Sequence, residues 1–237
     1  MRTGNSLTTR MLGVMYAPRA TFESLAAAPR WGDVLVLTFL VTALSSALLF
    51  ETETGRLALL DQWERTALAF GQPVGDSEYL ALSRASDNGT LYAIASAFAS
   101  GPLLAVALSG ILFTLLRWLP GTRDGVRFQQ VLAVVAHAGV ILALRQVIAA
   151  PVVYARETLA SPTTLNLFFA SLDESSPLAR FSGVLDLFVI WWIAVLAIGM
   201  SVLCRRPAPR LALSFMGAYL VMAGILTLAM ALTGGTA

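Results

Sequence analysis

The chain has 237 residues, of which 57% are hydrophobic and only 13% charged, with a formal net charge of +2. A soluble domain carries roughly 25% charged residues, so this composition leaves too little polar surface to cover a water-soluble fold. The mean hydropathy of +0.74 points to an integral membrane protein, and the small net charge makes no case for nucleic acid as a partner.

Residues 1–30 read as a cytoplasmic segment with one short helix. Pro18 suits the first turn of a helix running to about Ala28, and Pro29 ends it. Phe22, Leu25 and Ala26 share one face, away from Arg19 and Glu23. Such a helix either lies in the membrane interface or packs under the transmembrane helices. No signal peptide is expected, because the first apolar run starts after residue 30 without a small-residue cleavage site behind it.

Residues 31–237 form the membrane domain, with five runs long enough to cross ~30 Å of hydrocarbon. The first span covers about 33–50. The outer loop 51–90 contains a helix whose apolar face is Leu57, Leu60, Trp63, Ala67 and Phe70, opposite Asp61 and Arg65. Gly71, Pro73 and Gly75 break it, and a second helix follows from Ser77 to Arg84. Asn88-Gly89-Thr90 matches a glycosylation sequon, a motif common by chance, and is set aside.

The second span covers about 91–119 and carries a stripe of small residues at four-residue spacing: Ala93, Ala97, Gly101, Ala105 and Ser109. Such a stripe admits a close neighbour, either within the protein or in an oligomer. Pro102 frees the carbonyl of Phe98 and is expected to kink the helix. The third span covers 128–153. In the following loop, 154–180, Ser161-Pro162 reads as a helix start leading through Leu165, Phe168 and Phe169, and Ser176-Pro177 repeats the signal. The fourth span covers 181–203, with the lone Cys204 at its end, and the fifth 211–232. The predicted fold class is an all-α integral membrane protein, a bundle of five transmembrane helices with short interfacial and extracytoplasmic helices.

All sixteen basic residues are arginine. They concentrate before the first span (Arg2, Arg10, Arg19, Arg30), between the second and third (Arg117, Arg123, Arg127), and between the fourth and fifth (Arg205, Arg206, Arg210). The longer loops on the other side dilute their arginines with many carboxylates. The positive-inside rule then predicts a cytoplasmic N-terminus, an outer C-terminus and residence in the cytoplasmic (inner) membrane.

Three ionisable residues fall at membrane depth: His137, Arg145 and Asp186. An isolated charge near the bilayer centre costs about 2.5–3.5 kcal/mol on insertion scales, so each calls for a partner or a polar cavity. Arg145 and Asp186 lie on consecutive antiparallel helices, each about six positions, or ~9 Å, outward of its helix midpoint. That equal depth permits an ion pair fixing helix register; a transport role for the same residues is the alternative. His137 either hydrogen-bonds a neighbour or relays protons or binds a ligand. One His and one Cys do not make a metal-ligand set. No nucleophile elbow, phosphate-binding loop or paired-Asp motif is present. No catalytic residue, metal or cofactor is therefore expected.

The stretch from Leu185 to Leu203 contains Asp186-Leu187-Phe188, then Trp191, then Ala197-Ile198-Gly199. With Pro18, Phe22 and Pro29 ahead of the first span, this pattern resembles the Yip1 domain family over nearly the whole chain. The resemblance implies five membrane spans and a cytoplasmic N-terminus, the topology the arginines indicate independently. Eukaryotic members are associated with Rab GTPases and early secretory traffic. This chain departs from them in its short N-terminal part and long outer loops, and is similar to a prokaryotic member, for which a Rab role makes no sense. The family brings no catalytic residues to carry over. The expected function is a non-enzymatic scaffold or membrane organiser acting through the lipid bilayer and a membrane-protein partner or homo-oligomer. The alternative is a small-molecule or lipid transporter with a polar site near mid-membrane.

Overall fold

The computed structural model describes residues 6–118, 125–159, 161–166 and 177–233. The chain begins with two short helices, α1 (Leu7–Tyr16) and α2 (Pro18–Ala27). Then come α3 (Gly32–Phe50), α4 (Glu53–Ala69) and α5 (Asp76–Ser86). A π-turn, Ala99–Leu103, joins α6 (Gly89–Phe98) to α7 (Leu104–Trp118). The remaining helices are α8 (Phe128–Ala138), α9 (Val140–Arg156), α10 (Pro177–Val184), α11 (Leu187–Cys204) and α12 (Ala208–Thr233). Five helical stretches are long and apolar enough to cross a membrane: α3, α6 through α7, α8 through α9, α11 and α12. The described residues contain one isolated antiparallel bridge, Thr164 with Asp186, and no named strand.

Local chemistry sets the helix ends. The Ser6 hydroxyl accepts from Thr9 N at 3.2 Å, and Pro18 sits at the first turn of α2. Thr52 caps α4 by accepting from Gly55 N at 3.0 Å. The Gln130 side chain accepts from Arg127 N at 2.8 Å to open α8. Pro102 has no N–H to continue the ladder, and the π-turn absorbs the missing bond.

The chain divides into two compact units. One comprises Met1–Thr42, Ala97–Leu144 and Phe188–Gly217. Its core brings together Val14, Phe22, Leu112, Val134, Ile141 and Met200. The helix α1 was not foreseen, although Leu7, Met11 and Val14 repeat at helical spacing; it packs on α2 and α8. Phe22 is 0% exposed and Leu25 2%, so of the two readings of α2 the packed one holds. Burying such side chains contributes roughly 1.5–3 kcal/mol each. Gln130 Nε2 also donates to Ala26 O at 2.7 Å, tying α8 to the end of α2. Gly199 admits this packing: a Cβ there would lie 2.5 Å from Val134 Cγ1 and 3.1 Å from the Phe22 ring.

The other unit comprises Ala43–Ser96, Arg145–Leu187 and Ala218–Ala237. Leu49, Phe50, Leu59, Ala93 and Val153 form its core, and Trp63 meets Tyr92 edge to face at 5.1 Å. The buried row of α4 is Ala58, Leu59 and Leu60, whereas Leu57 and Phe70 are exposed. Of the predicted face, Leu60 is buried and Trp63 packs against this core, so it is met in part. The turn after α3 is tight: a Cβ on Gly55 would lie 2.0 Å from Leu49 O.

Two further expectations are corrected here. Ser161-Pro162 does not start the helical turn: residues 162–163 form a turn and 164 a bridge, with Leu165 N donating to Leu185 O at 2.8 Å and Leu187 N to Thr163 O at 2.9 Å, and a 3-10 turn begins only at Leu165–Asn166. Phe168, Phe169 and Ser176 lie outside the described residues. The fourth span starts at Leu187 rather than 181, because the helix breaks at Leu185–Asp186 and the residues before it belong to α10.

Candidate functional site

Two polar clusters sit within the apolar helices, one in each unit. The first is built around the helix break before α11. Arg145 on α9 directs Nε to Asp186 Oδ2 at 2.7 Å and to Thr163 Oγ1 at 3.2 Å, and Nη2 to Ser161 Oγ at 3.0 Å. Thr163 Oγ1 donates to the same Asp186 oxygen at 2.6 Å, with Ser161 Oγ at 3.3 Å. The Asp186 side chain is 6% exposed and that of Arg145 31%. Arginine suits this position because its planar fork serves carboxylate and hydroxyls together.

The break itself exposes backbone groups that a continuous helix would have used. All four nearest ones are satisfied. Tyr219 of α12 accepts from Asp186 N at 3.1 Å and donates to Val184 O at 2.7 Å. Leu185 O and Leu187 N take the bridge bonds from 163–165. Irregular backbone inside hydrocarbon is tolerated only where protein supplies such partners. The cluster is thus a seal on a broken helix. Its Asp186 Oδ2 receives an arginine and two hydroxyls.

The second cluster surrounds His137, the residue two before Gly139, where α8 gives way to α9. His137 is 0% exposed. Its Nδ1 lies 2.8 Å from Ala133 O. A carbonyl only accepts, so Nδ1 carries the proton, and Nε2 of the neutral ring is a bare acceptor without a partner among the described residues. Arg10 of α1 is 4% exposed and forms an ion pair with Asp33 in the first turn of α3. Asp33 Oδ1 also accepts from Val34 N at 2.9 Å, capping that helix. Arg10, Asp33 and His137 all belong to this unit. Arg10 Nε and Nη1 have no hydrogen-bond partner among the described residues.

The structure therefore brings Arg145 and Asp186 together and places His137 in a different cluster. Sequence reasoning missed Arg10 and Asp33 as a pair, and Ser161, Thr163 and Tyr219 as the groups around the break. Arg10 was legible only as one arginine of the basic side. The amphipathic spacing of Leu7, Met11 and Val14 was the signal that it rides on a packed helix. Of the small-residue stripe, Ala93, Ala97, Ala105 and Ser109 are buried, and Gly101 is half-buried with nothing within 4 Å of where a Cβ would stand. The stripe thus faces protein, while its glycine is not required by any close contact. Among the described residues no three His, Cys, Asp or Glu side chains converge as metal ligands.

The family model described as the Yip1 domain matches residues 12–231. No curated protein and no solved structure matches the chain significantly.

Proposed function

This chain belongs to the Yip1 domain family, and we propose from that premise that it is a non-enzymatic scaffold of the cytoplasmic membrane, with its N-terminus inside. It organises lipid and a membrane-protein partner, or a second copy of itself, through the outer faces of its spans. The observation that carries the reading is how the polar groups around Arg145 are used. They are engaged in holding the chain's own broken helix together. The outward faces are apolar: only 11% of the fifth span's hydrophobic window and 17% of the second's are buried within the protein. Helix faces of this kind associate by close packing in lipid rather than by chemistry. The arginine-rich ends of the spans support this orientation.

A second reading, a transporter of a small molecule or lipid, rests on one feature: the buried Nε2 of His137, which has no hydrogen-bond partner among the described residues. Purification in a mild, lipid-preserving detergent followed by native mass spectrometry separates the two. The scaffold reading expects a stoichiometric protein partner or a stable homo-oligomer that survives His137→Ala. A bound small molecule that disappears in His137→Ala or Arg145→Ala, with folding intact, overturns it in favour of transport.

A further inference from the structure

A cleft of about 440 Å³ opens where α11 ends, lined by Arg19 and Glu23 of α2, Ser201 of α11, and Arg205, Arg206 and Pro207 of the turn to α12. Its volume falls within the range of small-ligand sites, roughly 300–1,000 Å³. Three guanidinium-bearing side chains face one carboxylate. That carboxylate is already engaged, Glu23 Oε1 accepting from Arg19 Nε at 3.1 Å. The lining residues together therefore carry net positive charge. Pro207 and Pro209 supply no N–H at this turn, and the arginine side chains are its charged donors.

Arg205 adds an independent observation. Its φ is +53°, a left-handed backbone that glycine adopts freely and an L side chain does not. Helices commonly end on glycine at this position. The positive-inside rule asks for arginines on this side of the membrane, but not for one in that conformation. Backbone strain at a cavity edge is a mark of a side chain retained for what it binds.

We propose that this cleft binds a phosphoryl group, carried by an anionic phospholipid headgroup or by a soluble phosphate compound, with Arg205 and Arg206 as its principal donors. The cleft lies at the ends of two membrane spans, where basic pockets meet headgroups. Planar guanidinium forks match phosphate oxygens in pairs. The inference rests on the membrane embedding of α11 and α12 and is independent of the partner-binding reading.

The test is native mass spectrometry of the full-length protein in detergent, titrated with phosphatidylglycerol or with phosphatidylcholine of the same acyl chains. The unchanged protein is expected to hold phosphatidylglycerol about ten-fold better. Arg205→Gln with Arg206→Gln lowers that affinity roughly 20-fold, at about five-fold per arginine near a surface. Arg205→Gly relieves the backbone, so its thermal midpoint is unchanged or higher while binding still falls about five-fold. Glu23→Gln releases Arg19 and tightens binding, a gain that a merely damaged fold does not produce. Lipid that stays bound in the presence of inorganic phosphate assigns the headgroup as ligand. Displacement of lipid by inorganic phosphate, with the same dependence on the arginines, assigns a soluble phosphate compound. Equal retention of the two lipids without phosphate binding, or variants that bind as the unchanged protein does, overturns the proposal.

Discussion

At the scale of single residues, the pair Arg145–Asp186 is the clearest case of chemistry dictated by surroundings. Its Nε–Oδ2 separation is 2.7 Å, and the carboxylate is nearly sealed from solvent. Removing one partner of such a pair strands the other, at a cost of about 3 kcal/mol, the low end for buried pairs because Arg145 keeps some exposure. Arg145→Ala and Asp186→Ala are each expected to lower the unfolding midpoint in detergent. The double variant should lose much less than the sum, and Arg145→Asp with Asp186→Arg should recover part of the loss. Additive losses in that cycle would refute a direct pairing. His137 stands apart: one ring nitrogen is satisfied locally, and the other has no hydrogen-bond partner among the described residues.

At the scale of elements, the decisive feature is a helix that stops early. The apolar run from residue 181 to 203 has the composition of one continuous span, yet α10 ends at Val184 and α11 starts at Leu187. Such a break is stable only if its freed backbone groups find partners, and Tyr219 supplies two of them. Tyr219→Phe keeps the ring and removes the hydroxyl. It is expected to cost about 1–3 kcal/mol, the penalty for polar groups left buried and unsatisfied. Hydrogen exchange should quicken at Asp186, whose N–H loses its acceptor, while α3 is unaffected. Unchanged exchange at that amide would mean that the hydroxyl does not seal the break.

At the scale of the whole molecule, three candidate spans separate the loop before α6 from the turn after α11. The two regions are therefore expected on opposite sides of the membrane. On a Cys204→Ala background, Asp87→Cys is expected to react with a membrane-impermeant maleimide in intact cells. Pro207→Cys is expected to react only after permeabilisation. The reverse pattern would invert the orientation drawn from the arginines, and labelling of both from one side would refute the span count.

Family, membrane embedding and the number of spans were legible in the sequence, because they follow from hydropathy over some twenty residues and from motifs contiguous in the chain. The depth argument brought Arg145 and Asp186 to the same place for the same reason: helical rise is regular enough to count along. What it could not supply were the hydroxyls of Ser161, Thr163 and Tyr219, or the pairing of Arg10 with Asp33. Those partners are distant in the chain and carry no periodic signal. Whether a helix continues or breaks depends on what another segment offers to its backbone, and only the tertiary structure decided that at Leu185–Asp186. Local composition set which segments enter the membrane, and long-range hydrogen bonding set where one of them could afford to be irregular.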